Sequence, residues 1–158
     1  ALKKTKQFKD YNFATERSQH LMSLGIPLNT DSTLKGQTVF LAERCGELMT
    51  ENIITDRTVI DVMAFTLNAK SIHHQDKELF ETYASEFVRE YDYIFYISPY
   101  GLEIEDNGVR ETDEYYRDLI DFTITTLIKR HGHKAGKLEK ISGSTEERIQ
   151  QILNITGL

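Results

Sequence analysis

An α/β domain, with a parallel sheet flanked by helices on both faces, is what this sequence predicts, and three observations predict it. Strand-like and helix-like segments alternate along the chain. The strand candidates are near-continuous apolar runs, such as "NIIT" (52–55) and "YDYIFYIS" (91–98), which suits strands buried on both faces. Polar residues follow the strand ends, at Thr15, Asp56-Arg57, Pro99-Tyr100 and Gly143-Ser144. In a parallel sheet those positions lie along one rim, where ligands of such folds bind.

The elements follow in order. Residues 1–9 read as a Lys-rich helix with Leu2 and Phe8 as core contacts. "YNFA" (11–14) is a short strand. "TERSQHLMSLG" (15–25) is a helix capped by Thr15 and ended by Gly25. Residues 26–33 are loop, and a helix runs from Leu34 to about Thr50 with Val39, Phe40, Ala42 and Leu48 as core candidates. After the strand at 52–55 comes a helix over 58–68. Residues 76–91 carry Leu79, Phe80, Tyr83, Phe87 and Val88 at three- and four-residue spacing, an amphipathic helix. The strand at 91–98 is aromatic and β-branched and stops at Ser98-Pro99. Residues 102–108 are loop with a turn at Asn107-Gly108. A long helix (113–132), a strand (136–143) and a helix (144–153) close the chain. The last opens on a capping box, Ser144 with Glu147 three residues on.

At 158 residues the chain has room for one domain and one core. Its formal net charge of −6 argues against a nucleic-acid partner, which calls for a basic surface. Cys45 is the single cysteine, so no intrachain disulfide forms and the reducing interior of a cell is the expected setting. Cys45 sits in an apolar helical pattern, which reads as packing. His73-His74 point to different faces of any regular element, and His131 and His133 flank Gly132, so neither pair reads as a metal site. No apolar run nears the ~18–20 residues of a membrane span and no signal-peptide pattern is present; a cytoplasmic protein is expected.

The segment "ITDRTVID" (54–61) carries the chemistry. A carboxylate where a buried strand meets a helix can hold Mg²⁺ through water or accept a hydroxyl proton, and a neighbouring guanidinium can clamp phosphate oxygens. The plain alternative makes Asp56 the helix N-cap and Arg57 a solvated side chain.

"IITDRTVIDVMAFT", "YDYIFYISPYGLEIEDNGVRETDEYYRDLID" and "ISGSTEERIQQIL", with "TERSQHLMSLGIPLN" before them, together resemble the P-loop kinase-like domain of NadR-type ribosylnicotinamide kinases and related small phage and bacterial ATPases. The resemblance implies a P-loop NTPase-like fold, ATP and Mg²⁺ as cofactors, and phosphoryl transfer to a nucleoside- or nucleotide-like small-molecule acceptor. It makes Asp56 the acid of a Walker-B-like strand, acting on the metal or as base. It turns Arg57, Glu16 and Arg17 toward the acceptor. It sets Arg110 and Arg117 on a lid (about 102–118) that stabilises the transferred phosphoryl group, and Gly143, Ser144 and Thr145 against the adenine. Each has a plainer reading. Arg110 and Arg117 can be one solvated helix face pairing with Glu114 or Asp121, Glu16-Arg17 a local surface pair, and Gly143-Ser144 an ordinary helix start. Asp61 can orient Arg57 or face solvent. A nucleotide-binding regulatory or interaction module with little transfer activity is the competing function, and a polynucleotide-end kinase a third.

No G-x-x-x-x-G-K-[ST] occurs in these residues; Gly136-Lys137 precedes a strand and lacks the following Ser/Thr. "ALKKTKQFKDY" looks like the helix after the family's phosphate-binding loop. The resemblance therefore implies a first strand and loop upstream of Ala1, on the order of 15–25 residues, or a partner's strand in the central sheet position.

Overall fold

The computed structural model describes residues 1–15, 18–100 and 114–158. Its architecture is α/β, with helices around short parallel sheets. β1 (Asn12–Ala14) pairs in parallel with β2 (Ile53–Thr55), Phe13 opposite Ile54. β3 (Tyr93–Ile97) pairs in parallel with β4 (Lys137–Ile141), Ile94 opposite Leu138 and Ile97 opposite Ile141. All four expected strands are present among the described residues, and both pairings are parallel. They do not form the one continuous sheet the alternation predicts: the described strands make two sheets of two.

The helices begin where the sequence supplies caps. α1 (Ser18–Ser23) ends ahead of Gly25, whose φ of 77° breaks the helix. α2 (Leu34–Glu47) starts at Thr33, whose hydroxyl accepts from the Gly36 amide at 3.1 Å. α3 (Val59–Asn68) starts at Thr58 in a capping box closed by Asp61. α4 (His74–Ala84) passes into a 3₁₀ segment, Ser85–Glu90. α5 (Glu114–His131) and α6 (Thr145–Thr156) follow, the latter with the expected Ser144–Glu147 box.

Three expectations change. Residues 1–9 are two 3₁₀ turns, Leu2–Lys4 and Lys6–Phe8, rather than a helix. Neither turn has a side-chain cap, Thr5 between them is extended, and Phe8 is their one buried side chain, so little packing holds a longer helix. In α2 the buried stripe runs through Leu41, Arg44 and Glu47, while Ala42 is exposed. In α4 the inward face is Phe80 and Ala84, continued by Val88; Leu79 and Tyr83 face out, 70% and 63% exposed.

The interior has two parts. The larger joins Val59, Ile60, Met63 and Ala64 of α3 to Leu41, Phe80, Val88, Ile94 and Leu127. The smaller joins Phe8, Ile141 and Ile152, with Phe13, Ile54 and Phe95 packed on it. Both sheets thus share this second cluster. No helix among the described residues is long and apolar enough to cross a membrane.

Candidate functional site

The turn between β2 and α3 is built from the chain's own hydrogen bonds. The Asp56 amide extends the β1–β2 ladder by donating to the Ala14 carbonyl at 2.9 Å. Asp56 therefore stands beside the carboxyl end of β1, where Thr15 leads on. Arg57 follows with φ at 82°, a left-handed conformation that costs a non-glycine residue energy. The Thr55 hydroxyl donates to the Arg57 carbonyl at 3.0 Å and holds this bend.

The capping work falls to other side chains. The Thr58 hydroxyl accepts from the Ile60 amide at 3.1 Å, and the Asp61 carboxylate accepts from the Thr58 amide at 2.8 Å. Asp61 also takes the Arg57 guanidinium at 3.1 Å, the orienting contact open in the sequence. Asp56 is exposed, and among the described residues no hydrogen bond or ion pair engages its carboxylate. The N-cap reading of Asp56 is thereby replaced by Thr58.

Beneath the turn lies a pair the sequence did not single out. The Arg44 Nη1 donates to the Asp56 carbonyl at 3.0 Å and meets the Glu47 carboxylate at 2.9 Å. These side chains are 4% and 8% exposed. Their signal was the spacing: Arg44 and Glu47 continue Leu41 at three-residue steps, the period of a buried stripe.

A second polar group gathers at the carboxyl end of β3. The Tyr96 hydroxyl donates to the buried Asp121 carboxylate at 2.6 Å. Burial first, then this hydrogen bond and the Asp121 charge, push the phenol up to about 12, so it stays protonated at neutral pH. Arg117 is half-buried, bonds Asp118 through Nε and Nη2 at 3.3 and 3.2 Å, and lies 5.9 Å from the Tyr100 ring centre. Gly143, Ser144 and Thr145 follow β4 and are exposed. Gly143 has φ at 94°, and a Cβ there would meet the Glu147 carboxylate at 2.5 Å, so glycine serves the capping box itself. Ser142, Gly143, Glu147 and Gln151 line an open groove of about 390 Å³ beside it.

Contacts along α3 connect these two groups. The Val59 amide, at the start of α3, donates to the Tyr91 hydroxyl at 3.2 Å, and Tyr91 precedes β3. Farther along α3, Phe65 meets Tyr116 with ring centres 6.5 Å apart, and Asn68 donates to Thr123 at 2.9 Å. The first half of α5 is in turn tied to the carboxyl end of β3 through Asp121. Thus α3 runs from the amino end of β3 toward its carboxyl end. Glu16, Arg17 and Arg110, with most of the expected lid, are outside the described residues.

Cys45 is half-buried against the main cluster, and burial pushes its thiol up, which suits packing rather than nucleophilic use. Among the described residues no group of three or more His, Cys, Asp or Glu is arranged to hold a metal ion. His131 meets Glu81 at 2.8 Å, and His74 meets Glu78 at 3.2 Å. Comparison with known proteins adds no relative: no protein-family model, curated protein or solved structure matches the chain.

Proposed function

We propose that the chain is an ATP-dependent phosphoryl-transfer domain acting on a hydroxyl of a nucleoside- or nucleotide-like small molecule. The Asp56 carboxylate carries this reading. It is exposed at the carboxyl end of a parallel strand pair, relieved of capping by Thr58, and set on a turn whose next residue is held in a strained conformation. The resemblance of the surrounding "IITDRTVID" segment to small kinases supports the same role.

In the reaction the acceptor oxygen forms a bond to the γ-phosphorus and the bond to the β–γ bridging oxygen breaks, leaving ADP. The hydroxyl proton passes to Asp56 or to water. Mg²⁺ fits the residues present to this extent: it binds through one or two carboxylates plus phosphates and water, and Asp56 would supply one carboxylate that no described residue engages. The described residues supply no glycine-rich cradle for a triphosphate, so no step is assigned to one. Arg57, with Glu16 and Arg17, is assigned to the acceptor, Arg110 and Arg117 to the transferred group, and Gly143, Ser144 and Thr145 to adenine.

The second reading is a nucleotide-binding regulatory module, which needs binding but no transfer. The test uses the complete natural polypeptide with ATP, Mg²⁺ and a panel of nucleosides and nucleotides. Transfer that falls at least ~10²-fold in Asp56→Asn, the scale of a lost acid–base group, is the expected result. Transfer that survives the substitution removes Asp56 from the mechanism. ATP binding without transfer to any acceptor puts the regulatory reading first, and neither binding nor transfer removes both.

A further inference from the structure

We propose that Arg44, paired with Glu47, is a positioning residue that fixes the Asp56 turn from beneath. Burying a guanidinium and a carboxylate is costly, and replacing such a pair by apolar groups of similar volume is often neutral or stabilising. Packing α2 onto the core therefore does not by itself call for these two charges. What they do here is visible in the contacts of the guanidinium. Arg44 Nη1 stands 2.9 Å from the Glu47 carboxylate as an ion pair and donates one hydrogen bond, to the Asp56 carbonyl at 3.0 Å. Glu47, one turn on in α2, holds the guanidinium beside it by charge while an Nη1 N–H aims at the turn.

The backbone around Asp56 is thus held at three points. Its amide donates to Ala14 at 2.9 Å, its carbonyl accepts from Arg44, and the Val59 amide donates to Tyr91 at 3.2 Å. Between the last two points stands Arg57 at φ 82°. A strained residue persists only where its surroundings over-determine it, and Arg44 is the one charged donor on that carbonyl among the described residues. The result is a fixed backbone beneath a carboxylate that no described residue engages, the arrangement a reacting group requires, since small misplacements are costly in rate. A role in transfer rests on the function proposed above; the fixing of the turn does not.

The test compares Arg44→Lys and the double variant Arg44→Met/Glu47→Leu with the parent, all as complete polypeptides. Lysine keeps the charge opposite Glu47 but replaces the planar, pre-oriented guanidinium with a freely rotating ammonium on a flexible stem; the double variant removes both charges together. Amide hydrogen exchange at residues 57–59 should rise at least about tenfold in both, the scale of a lost hydrogen bond from a charged group. Exchange in α5 should stay as it was. With transfer established, kcat should fall about tenfold, by the same argument, while the acceptor KM stays within about twofold. Unchanged exchange at 57–59 overturns the proposal, and so does faster exchange across the whole chain in both variants, which makes the pair a folding determinant. Loosened exchange with unchanged kcat overturns the positioning role. A parent that transfers no phosphate removes the function reading, and the exchange result alone then decides whether Arg44 fixes the turn.

Discussion

The first amides of α3 need acceptors, and two side chains stand within reach in sequence, Asp56 and Thr58. The backbone decides between them. A cap residue is extended, and Thr58 is extended with φ −130° and ψ 177°, whereas Arg57 at φ 82° turns Asp56 away from the helix start. Thr58→Ala should therefore destabilise the fold by about 1 kcal/mol, the usual cost of a lost cap, while Asp56→Ala should stay within about 0.5 kcal/mol, as surface changes do; denaturant unfolding midpoints read both. The reverse order would return the cap to Asp56. Arg57 allows a sharper separation. Glycine accepts positive φ freely, and the pair lost with the guanidinium is partly exposed, hence worth little. Arg57→Gly should leave stability unchanged or raise it by up to about 1 kcal/mol. Reduced transfer in that variant then belongs to the missing guanidinium, not to unfolding. The pattern Thr58-x-x-Asp61 is itself a capping-box signal in the sequence, standing directly after the more conspicuous Asp56-Arg57 pair.

Where α4 meets the end of α5, Glu81 accepts from His131 at 2.8 Å and from Arg130 at 2.5 Å. Burial pushes the Glu81 carboxyl up, but hydrogen bonds from His131 and Arg130, aided by their charge, more than offset it and hold it below the usual carboxylate range. A carboxyl whose folded value is depressed contributes stability that is complete above its unfolded value, near 4.5, and is lost as pH falls through the lower folded value. Glu81→Gln should thus be less stable than the parent at neutral pH and lose less on acidification below about pH 4.5. Urea midpoints measured from pH 7 to 3 test this, and parallel curves for the two proteins would show that the contact does not bear on stability. Contacts like this one explain what could be read in advance. Helix starts with local signals, Thr33, Ser144 with Glu147, and the break at Gly25, are decided by neighbours in sequence. Which face of α4 turns inward is decided by α3 and the 3₁₀ segment behind it. Leu79 and Tyr83 fit the apolar spacing as well as Phe80 and Ala84 do, so spacing alone chose too many. Pairing of β2 with β1, but not with β3, is a non-local outcome that no apolar run encodes.

Over the whole molecule, the two interior clusters differ in what holds them. The larger encloses twelve buried residues and is built mostly from helices packed around α3, with Val59, Met63 and Ala64 at 0% exposure. The smaller has three buried residues, Phe8, Ile141 and Ile152, and draws its remaining cover from half-buried side chains of both sheets, α6 and the amino-terminal turns. Regions with few buried apolar contacts open at lower free energy than the core. Amide exchange should accordingly be slowest in α3 and the inward half of α5, and faster in β1, β2 and α6. Two variants separate the layers. Met63→Ala empties a fully buried site and should cost about 2–5 kcal/mol, lowering protection everywhere because the main cluster sets global unfolding. Ile152→Ala should speed exchange in α6, β4 and the turns around Phe8, while α3 amides keep their protection. The parallel ladders would register this directly: Phe13 and Ile54 on one sheet and Phe95 on the other are linked through the small cluster, so loosening it should release β1 and β2 with α6. If instead Ile152→Ala lowers protection in α3 as much as in α6, the clusters open as one unit, and the two sheets are joined through the main core more firmly than their side-chain contacts indicate.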